Sequence, residues 1–121
     1  MLSAEAVNAV KAYYLHARGQ YLKHNVAPRL LDAYDNFVLY HREPGDFLQA
    51  VLRNDLVGAF ARADSLNERT MKNHASFVYT VMSQALRGEE NMNQWYDSRI
   101  EPTPEMLAQL NDQKTLGALH G

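Results

Sequence analysis

Between Glu43 and Asp64 the chain reads EPGDFLQAVLRNDLVGAFARAD, and this stretch leaves the backbone few options. Pro44-Gly45 interrupts any helix, because the residue before proline avoids the αR region and glycine accepts a chain reversal. Asp46 then caps a short helix, in which Phe47, Leu48, Val51 and Leu52 recur at helical spacing. Asn54 opens a second short helix, with Asp55 in its first turn and Leu56, Ala59, Phe60 and Ala63 along one side. Whether Arg53-Asn54 is a true break or the middle of one bent helix stays open. Polar residues stand where caps belong and apolar ones where a helix buries a stripe. That is a pattern for folding, not for chemistry.

The same grammar runs through the rest of the chain. Ser3 caps a first helix that carries Glu5 in its first turn and a stripe of Val7, Val10, Tyr14, Ala17 and Tyr21, ending at His24-Asn25. Pro28 suits the first turn of a second helix, whose buried face reads Leu30, Leu31, Tyr34, Phe37, Val38 and His41. Ser65 and Glu68 stand at capping-box spacing and open a central helix over 65–87, with Gly88 just past its end. Glu89 and Glu90 enrich the next helix start, and Met92, Trp95 and Tyr96 face inward. Thr103 caps a last helix with Pro104 at its first position and a weak stripe of Met106, Leu107 and Leu110, fraying over 116–121. No run of β-branched residues alternates with polar ones over strand length. The predicted fold is all-α: a compact bundle of five to seven short helices around one longer central helix. It forms a single helical domain over 1–121, with a core of Leu31, Tyr34, Phe37, Val38, Leu48, Val51, Leu52, Leu56, Phe60, Phe77, Val78, Val81, Met82 and Trp95.

Composition narrows function mainly by exclusion. A formal charge of −2 argues against a protein whose affinity comes from neutralising phosphates. The absence of cysteine removes disulfide scaffolds and thiolate metal sites and fits a reducing compartment. No apolar stretch reaches bilayer length, and MLSAEAVNAVKAYY lacks the pattern of a signal peptide, so the expectation is a cytoplasmic chain. Five histidines invite a metal reading, but none forms a His-x3-His or Glu-x2-His pair. No phosphate-binding glycine loop or nucleophile elbow occurs. Asp32 and Asp35, three apart on a helix, read as a solvated face before they read as a catalytic carboxylate pair. The expectation is therefore no enzyme, no catalytic or metal-binding residue and no cofactor, with polar side chains that cap helices and wet the exterior.

Two binding readings remain. The two short helices around Ala50–Ala63 suit a helix-turn-helix unit, but Arg53 and Arg62 stand among Asp55 and Asp64 rather than on a basic face. Seven tyrosines are generous for this length. Adjacent Tyr13 and Tyr14 point about 100° apart on a helix, so one core does not readily take both. Tyrosine is favoured at interfaces for its apolar area and polar tip, and a contact or homodimer surface on the N-terminal helix follows as one reading.

Over Phe37–Trp95 the chain resembles a family of short phage and prophage proteins of unknown function. The matching residues are Pro44-Gly45, Phe47-Leu48, Ala50-Val51-Leu52, Asn54-Asp55-Leu56, Ala59, Arg62-Ala63-Asp64, Asn67, Phe77-Val78-Tyr79 and Gly88 through Trp95. Glu43 stands where the family often has a first proline, and Glu89-Glu90 replaces its Ser-Pro. The resemblance implies a family core of about 28–99, with the helix over 3–24 and the segment 103–121 as additions, and it carries no catalytic residues over. It also implies a phage accessory protein working in the host cytoplasm by stoichiometric binding to a host protein or complex. The most specific version is inhibition of an antiviral defence complex; a small DNA-binding transcriptional regulator is the alternative. The candidate partner contacts are Tyr13, Tyr14, Asp46, Asp55, Asp64, Glu89 and Glu90, the acids being suited to a basic site on the target.

Overall fold

The computed structural model describes the chain from Leu2 to His120, with side chains as far as Leu116. It is all-helical: α1 Ala4–His24, α2 Leu31–Tyr40, α3 Asp46–Leu52, α4 Leu56–Arg62, α5 Ser65–Arg69, α6 Met71–Val81, a 3-10 turn at Gln84–Leu86, α7 Glu89–Asp97 and α8 Pro104–His120. Several starts are those expected. The Ser3 hydroxyl accepts from the Ala6 N–H at 3.1 Å, and Thr103 accepts from the Met106 N–H at 3.2 Å. Arg53-Asn54 is a true break, with Asn54 in the left-handed region at φ 62°. The cap of α4 is Asp55 rather than Asn54, and its carboxylate accepts from the Gly58 N–H at 2.9 Å.

The bundle has no long central helix over 65–87. That segment is α5, α6 and the 3-10 turn, and the longest element is α1, at 21 residues. Two local breaks divide it. The Thr70 hydroxyl bonds back to the Leu66 carbonyl at 2.8 Å, which competes with the helical ladder at the α5–α6 joint. At the second joint Met82 takes an extended backbone, φ -85° and ψ 118°, which ends α6 at Val81 while its side chain stays buried. The start of α5 is capped by Asp64, which accepts from the Asn67 N–H at 2.7 Å, not by a Ser65–Glu68 box. Gly88 closes no helix. At φ 88° it begins α7, and its N–H donates to the Leu52 carbonyl at 3.0 Å, tying that turn to the end of α3. The second helix ends earlier than Pro44-Gly45, at Tyr40, with His41 at φ 57°. The last helix runs to His120, against the fraying expected from Leu116 onward; Gly121 lies outside the described residues.

The main core gathers buried side chains from α1, α2, α3, α4, α6 and α7 around Tyr14, Tyr34, Phe37, Phe77 and Trp95. The segment 3–24, set apart by the resemblance as an addition, thus sits inside the core. A smaller cluster of Leu15, Leu39 and Leu110 joins α8 to the opposite sides of α1 and α2. Two expected core residues are outside it: Leu56 and Phe60 are 64% and 43% exposed. On α4 it is Gly58 and Ala59 that are buried, so this helix packs on α3 through its small face and turns its large residues outward. A Cβ at position 58 would lie 2.1 Å from the Asp55 carboxylate, so glycine makes room for the cap.

Candidate functional site

Burial in α1 follows Val7, Lys11, Tyr14, Arg18 and Tyr21, a heptad-like stripe with two cations in it, and Leu15 is buried beside it. Apolar spacing alone puts Val10 and Ala17 there instead. Lys11 is fully buried, and its ammonium donates to the carbonyls of Leu39, at 2.8 Å, and Ile100. Burial pulls its pKa down to about 8, against the opposing pull of the Glu101 carboxylate. Arg18 grips Asp35 with two hydrogen bonds, Nε to Oδ1 at 2.7 Å and Nη2 to Oδ2 at 2.9 Å. Tyr14 donates its hydroxyl to the same Oδ1 at 2.6 Å, and Arg18 Nη1 donates to Gln113 Oε1 of α8. Burial would lower the Arg18 pKa, but the hydrogen bonds and charge of Asp35 outweigh it and keep the guanidinium ionised. Burial, with the Asp35 carboxylate beside it, pushes the Tyr14 phenol far up.

These groups correct the expectation that polar side chains only cap and wet the surface. Asp35 is 3% exposed and is no part of a solvated carboxylate face, whereas Asp32 on the next turn is open to water and lies 3.6 Å from Lys114. The difference is α1, whose Tyr14 and Arg18 close over the Asp35 carboxylate, whereas Asp32 on the same face meets only Lys114 of α8. The network is closed: each carboxylate oxygen has a cationic partner, and Tyr14, Arg18 and Asp35 are all shut off from water. Its chemistry is structural, locking α1, α2 and α8 in register.

The seven candidate contacts fare unevenly. Tyr13 is half-exposed on α1, but Tyr14 is fully buried against Asp35, which removes it as a contact residue. Asp46 does not cap α3: Gly45 holds the cap position, and Asp46 is exposed in the first turn, as Glu89 and Glu90 are in that of α7. Asp55 and Asp64 are engaged as caps. The Asn67 N–H and the Arg29 guanidinium hold the Asp64 carboxyl below its usual range. Asp55 alone among the seven lines a groove with an apolar floor. Replacing it by alanine is expected to destabilise the chain by about 1 kcal/mol through loss of the cap, measured by urea denaturation; a change within error would mean the Gly58 N–H finds water at no cost.

That groove is open, about 590 Å³ in volume, between α3–α4 on one side and α6 with the 84–91 segment on the other. Its apolar floor is Leu52, Ala59, Met71 and Val78. Leu56 and Tyr79 stand on its rim, the latter 82% exposed, and Val57 and Phe60 continue the apolar surface along α4. Arg53 and Arg87 bring positive charge to the same rim. The apolar pattern of the sequence assigns Leu56 and Phe60 to the core and gives no sign of Tyr79 or Arg87. The signal it does hold is the Gly58-Ala59 pair, whose small face can approach α3 closely and so leaves the large residues outside. A second cleft, about 650 Å³, lies over His41 and is lined by charges of both signs: Arg42, Glu43, Arg99 and Glu101. Its His41 is held neutral, burial lowering its pKa, with Nδ1 donating to the Trp95 carbonyl at 2.7 Å and Nε2 accepting from the Ile100 N–H.

Among the described residues no three His, Asp or Glu side chains gather as a metal site would require, and no helix is long and apolar enough to cross a membrane. Comparison of the chain with protein-family models, curated proteins and solved structures finds no match in any of the three.

Proposed function

We propose that this protein works by binding another protein through the α4–α6 groove, without turning over a substrate. The observation that carries the reading is the position of its large exposed apolar residues. Single exposed hydrophobics are ordinary on a soluble surface, but a contiguous apolar patch with a formed groove is not. Leu56 and Tyr79 share one groove, and Val57 and Phe60 adjoin it on the same short helix. The resemblance to phage and prophage proteins supports a host protein or complex as the partner, with an antiviral defence complex as its most specific form.

The alternative, a DNA-binding regulator, would use α3 and α4 as its helix-turn-helix. A recognition helix needs polar and basic groups for base edges and phosphates. Here α4 offers solvent Leu56, Val57 and Phe60, while Arg62 donates to the Gly58 carbonyl of its own helix. Protein binding is the better account of that face. A homodimer through α1 loses Tyr14 to the core and retains Tyr13 alone of the pair.

The test is capture from host cytosol with quantitative mass spectrometry. Leu56→Glu with Tyr79→Glu alters exposed positions only and should leave the circular dichroism unchanged. The expected result is a partner whose recovery falls about tenfold or more with this variant and is unchanged with Tyr13→Ala. Equal recovery by the wild type and the groove variant sinks the reading.

A further inference from the structure

Resting on that groove, we propose that its occupant is an amphipathic helix of the partner that sets a carboxylate against Arg87. The groove is a trough between helical elements with an apolar floor, the form that receives the i, i+3/i+4, i+7 face of a helix. Its charge is the second observation. Arg53 and Arg87 both line it, and the ion pairs among the described residues are Arg18–Asp35, Arg29–Asp64 and Lys114–Asp32. Neither rim arginine therefore has a carboxylate among those residues. Arg53 reaches only the Gln49 side-chain oxygen, at 3.0 Å, and Arg87 Nε is shut off from water with no acceptor. Asp55, the one acid on the groove, is committed to the Gly58 N–H.

Two guanidiniums on the rim of an apolar floor, neither paired with a carboxylate among the described residues, leave positive charge there that a carboxylate of the occupant offsets. The planar fork of arginine suits a carboxylate better than any neutral acceptor. Arg87 is also pre-placed. The Gly88 N–H ties its neighbour to the Leu52 carbonyl, and the Asn91 side chain donates to the carbonyls of Gln84 and Arg87, at 2.9 and 3.1 Å. The turn that presents the charge is thus already ordered, which lowers the cost of binding. An acidic amphipathic helix satisfies the apolar floor and the unpaired cations at once; a basic one meets like charge on the rim.

The experiment selects helix-patterned peptides, displayed from a library with randomised polar positions, against the full chain. The expected result is enrichment of Glu or Asp beside the apolar positions. In the best peptide, Glu→Gln should weaken binding about tenfold, as should Arg87→Gln in the protein, and the two together no more than either alone. Selected peptides without acids, or a best peptide indifferent to Arg87→Gln, overturn the carboxylate pairing. If Leu56→Glu and Tyr79→Glu still abolish their binding, the groove reading survives that failure; if they do not, both fall. A library that yields no binder also overturns it. So does a concentration-dependent dimer lost on Tyr79→Glu, where the occupant is a second copy. Salt-sensitive binding of a duplex DNA lost on Arg87→Gln would make the occupant a phosphate backbone, and the acidic helix falls in that case too.

Discussion

Asp35→Ala is expected to remove about 3–5 kcal/mol of stability, a large share of what a domain of this size possesses. The substitution strands Arg18, which is 1% exposed, with a full charge and no counter-ion. It also deprives the Tyr14 hydroxyl of its acceptor. Gln113 cannot take over, because its oxygen already accepts from Arg18 Nη1 and its amide donates to the Leu15 carbonyl at 2.8 Å. The cost of the stranded cation exceeds the net value of the pair, since both charges were desolvated when the pair formed. Replacing all three polar groups together, Tyr14→Phe with Arg18→Met and Asp35→Leu, should therefore lie within about 1–2 kcal/mol of the wild type. Urea denaturation of both variants reads the contrast. A loss below about 1 kcal/mol for Asp35→Ala would mean that water reaches Arg18 and that α8 does not seal the network.

The legible parts of this fold are those set by residues acting within one turn. Ser3 and Thr103 cap because a short side chain beside a rising helix has an N–H within reach, whatever the rest of the chain does. The same local logic puts inward faces on Phe77, Val78 and Trp95, whereas at Arg53-Asn54 it allows a break and a bend equally. What depends on a second element is not legible. Lys11 and Arg18 take heptad positions because carbonyls of Leu39 and Ile100 and the carboxylate of Asp35 come to meet them, from segments far away in sequence. Leu30, His41 and Asn54 adopt positive φ without being glycine. For His41 the reason is tertiary: its ring is stacked on Trp95 at 4.7 Å and hydrogen-bonded to residues 95 and 100. The groove escapes a sequence reading for a related reason. A helix with two apolar faces does not say which one it buries, and the choice of Gly58-Ala59 over Leu56 and Phe60 is made by how closely α3 approaches.

Acidification from pH 7.5 to 4.5 is expected to cost the protein up to about 2.5 kcal/mol through His74 alone. His74 is fully buried between the rings of Tyr34 and Phe47, 5.9 and 5.0 Å away. Burial pulls its pKa down to about 4, with the Arg29 charge adding to the effect. Burial pushes the Tyr34 phenol far up, so its hydroxyl remains a donor and gives its proton to His74 Nδ1 at 2.8 Å. With Nδ1 accepting from Tyr34, the neutral ring carries its hydrogen on Nε2, which is buried with no partner. A second proton would enter at Nδ1 and displace the hydrogen bond that Tyr34 donates there. In the unfolded chain an imidazole titrates near 6.5, roughly its unperturbed value. Between that value and about 4 the unfolded state therefore binds the proton and the native state does not. The stability is fully present above the unfolded pKa and drains away as pH falls through the window towards 4. His41, also lowered by burial, acts in the same direction. Carboxylates add their own acid sensitivity, so the diagnostic quantity is a difference between proteins. Tyr34→Phe with His74→Leu removes the titrating ring and its hydroxyl partner together, leaving no orphaned group. Its unfolding free energy should fall less steeply than the wild type's between pH 7.5 and 4.5, by about 2 kcal/mol over the interval. Parallel slopes for the two proteins would show that His74 takes up its proton in the native state, and that the Tyr34 pocket opens to water far more readily than its packing implies.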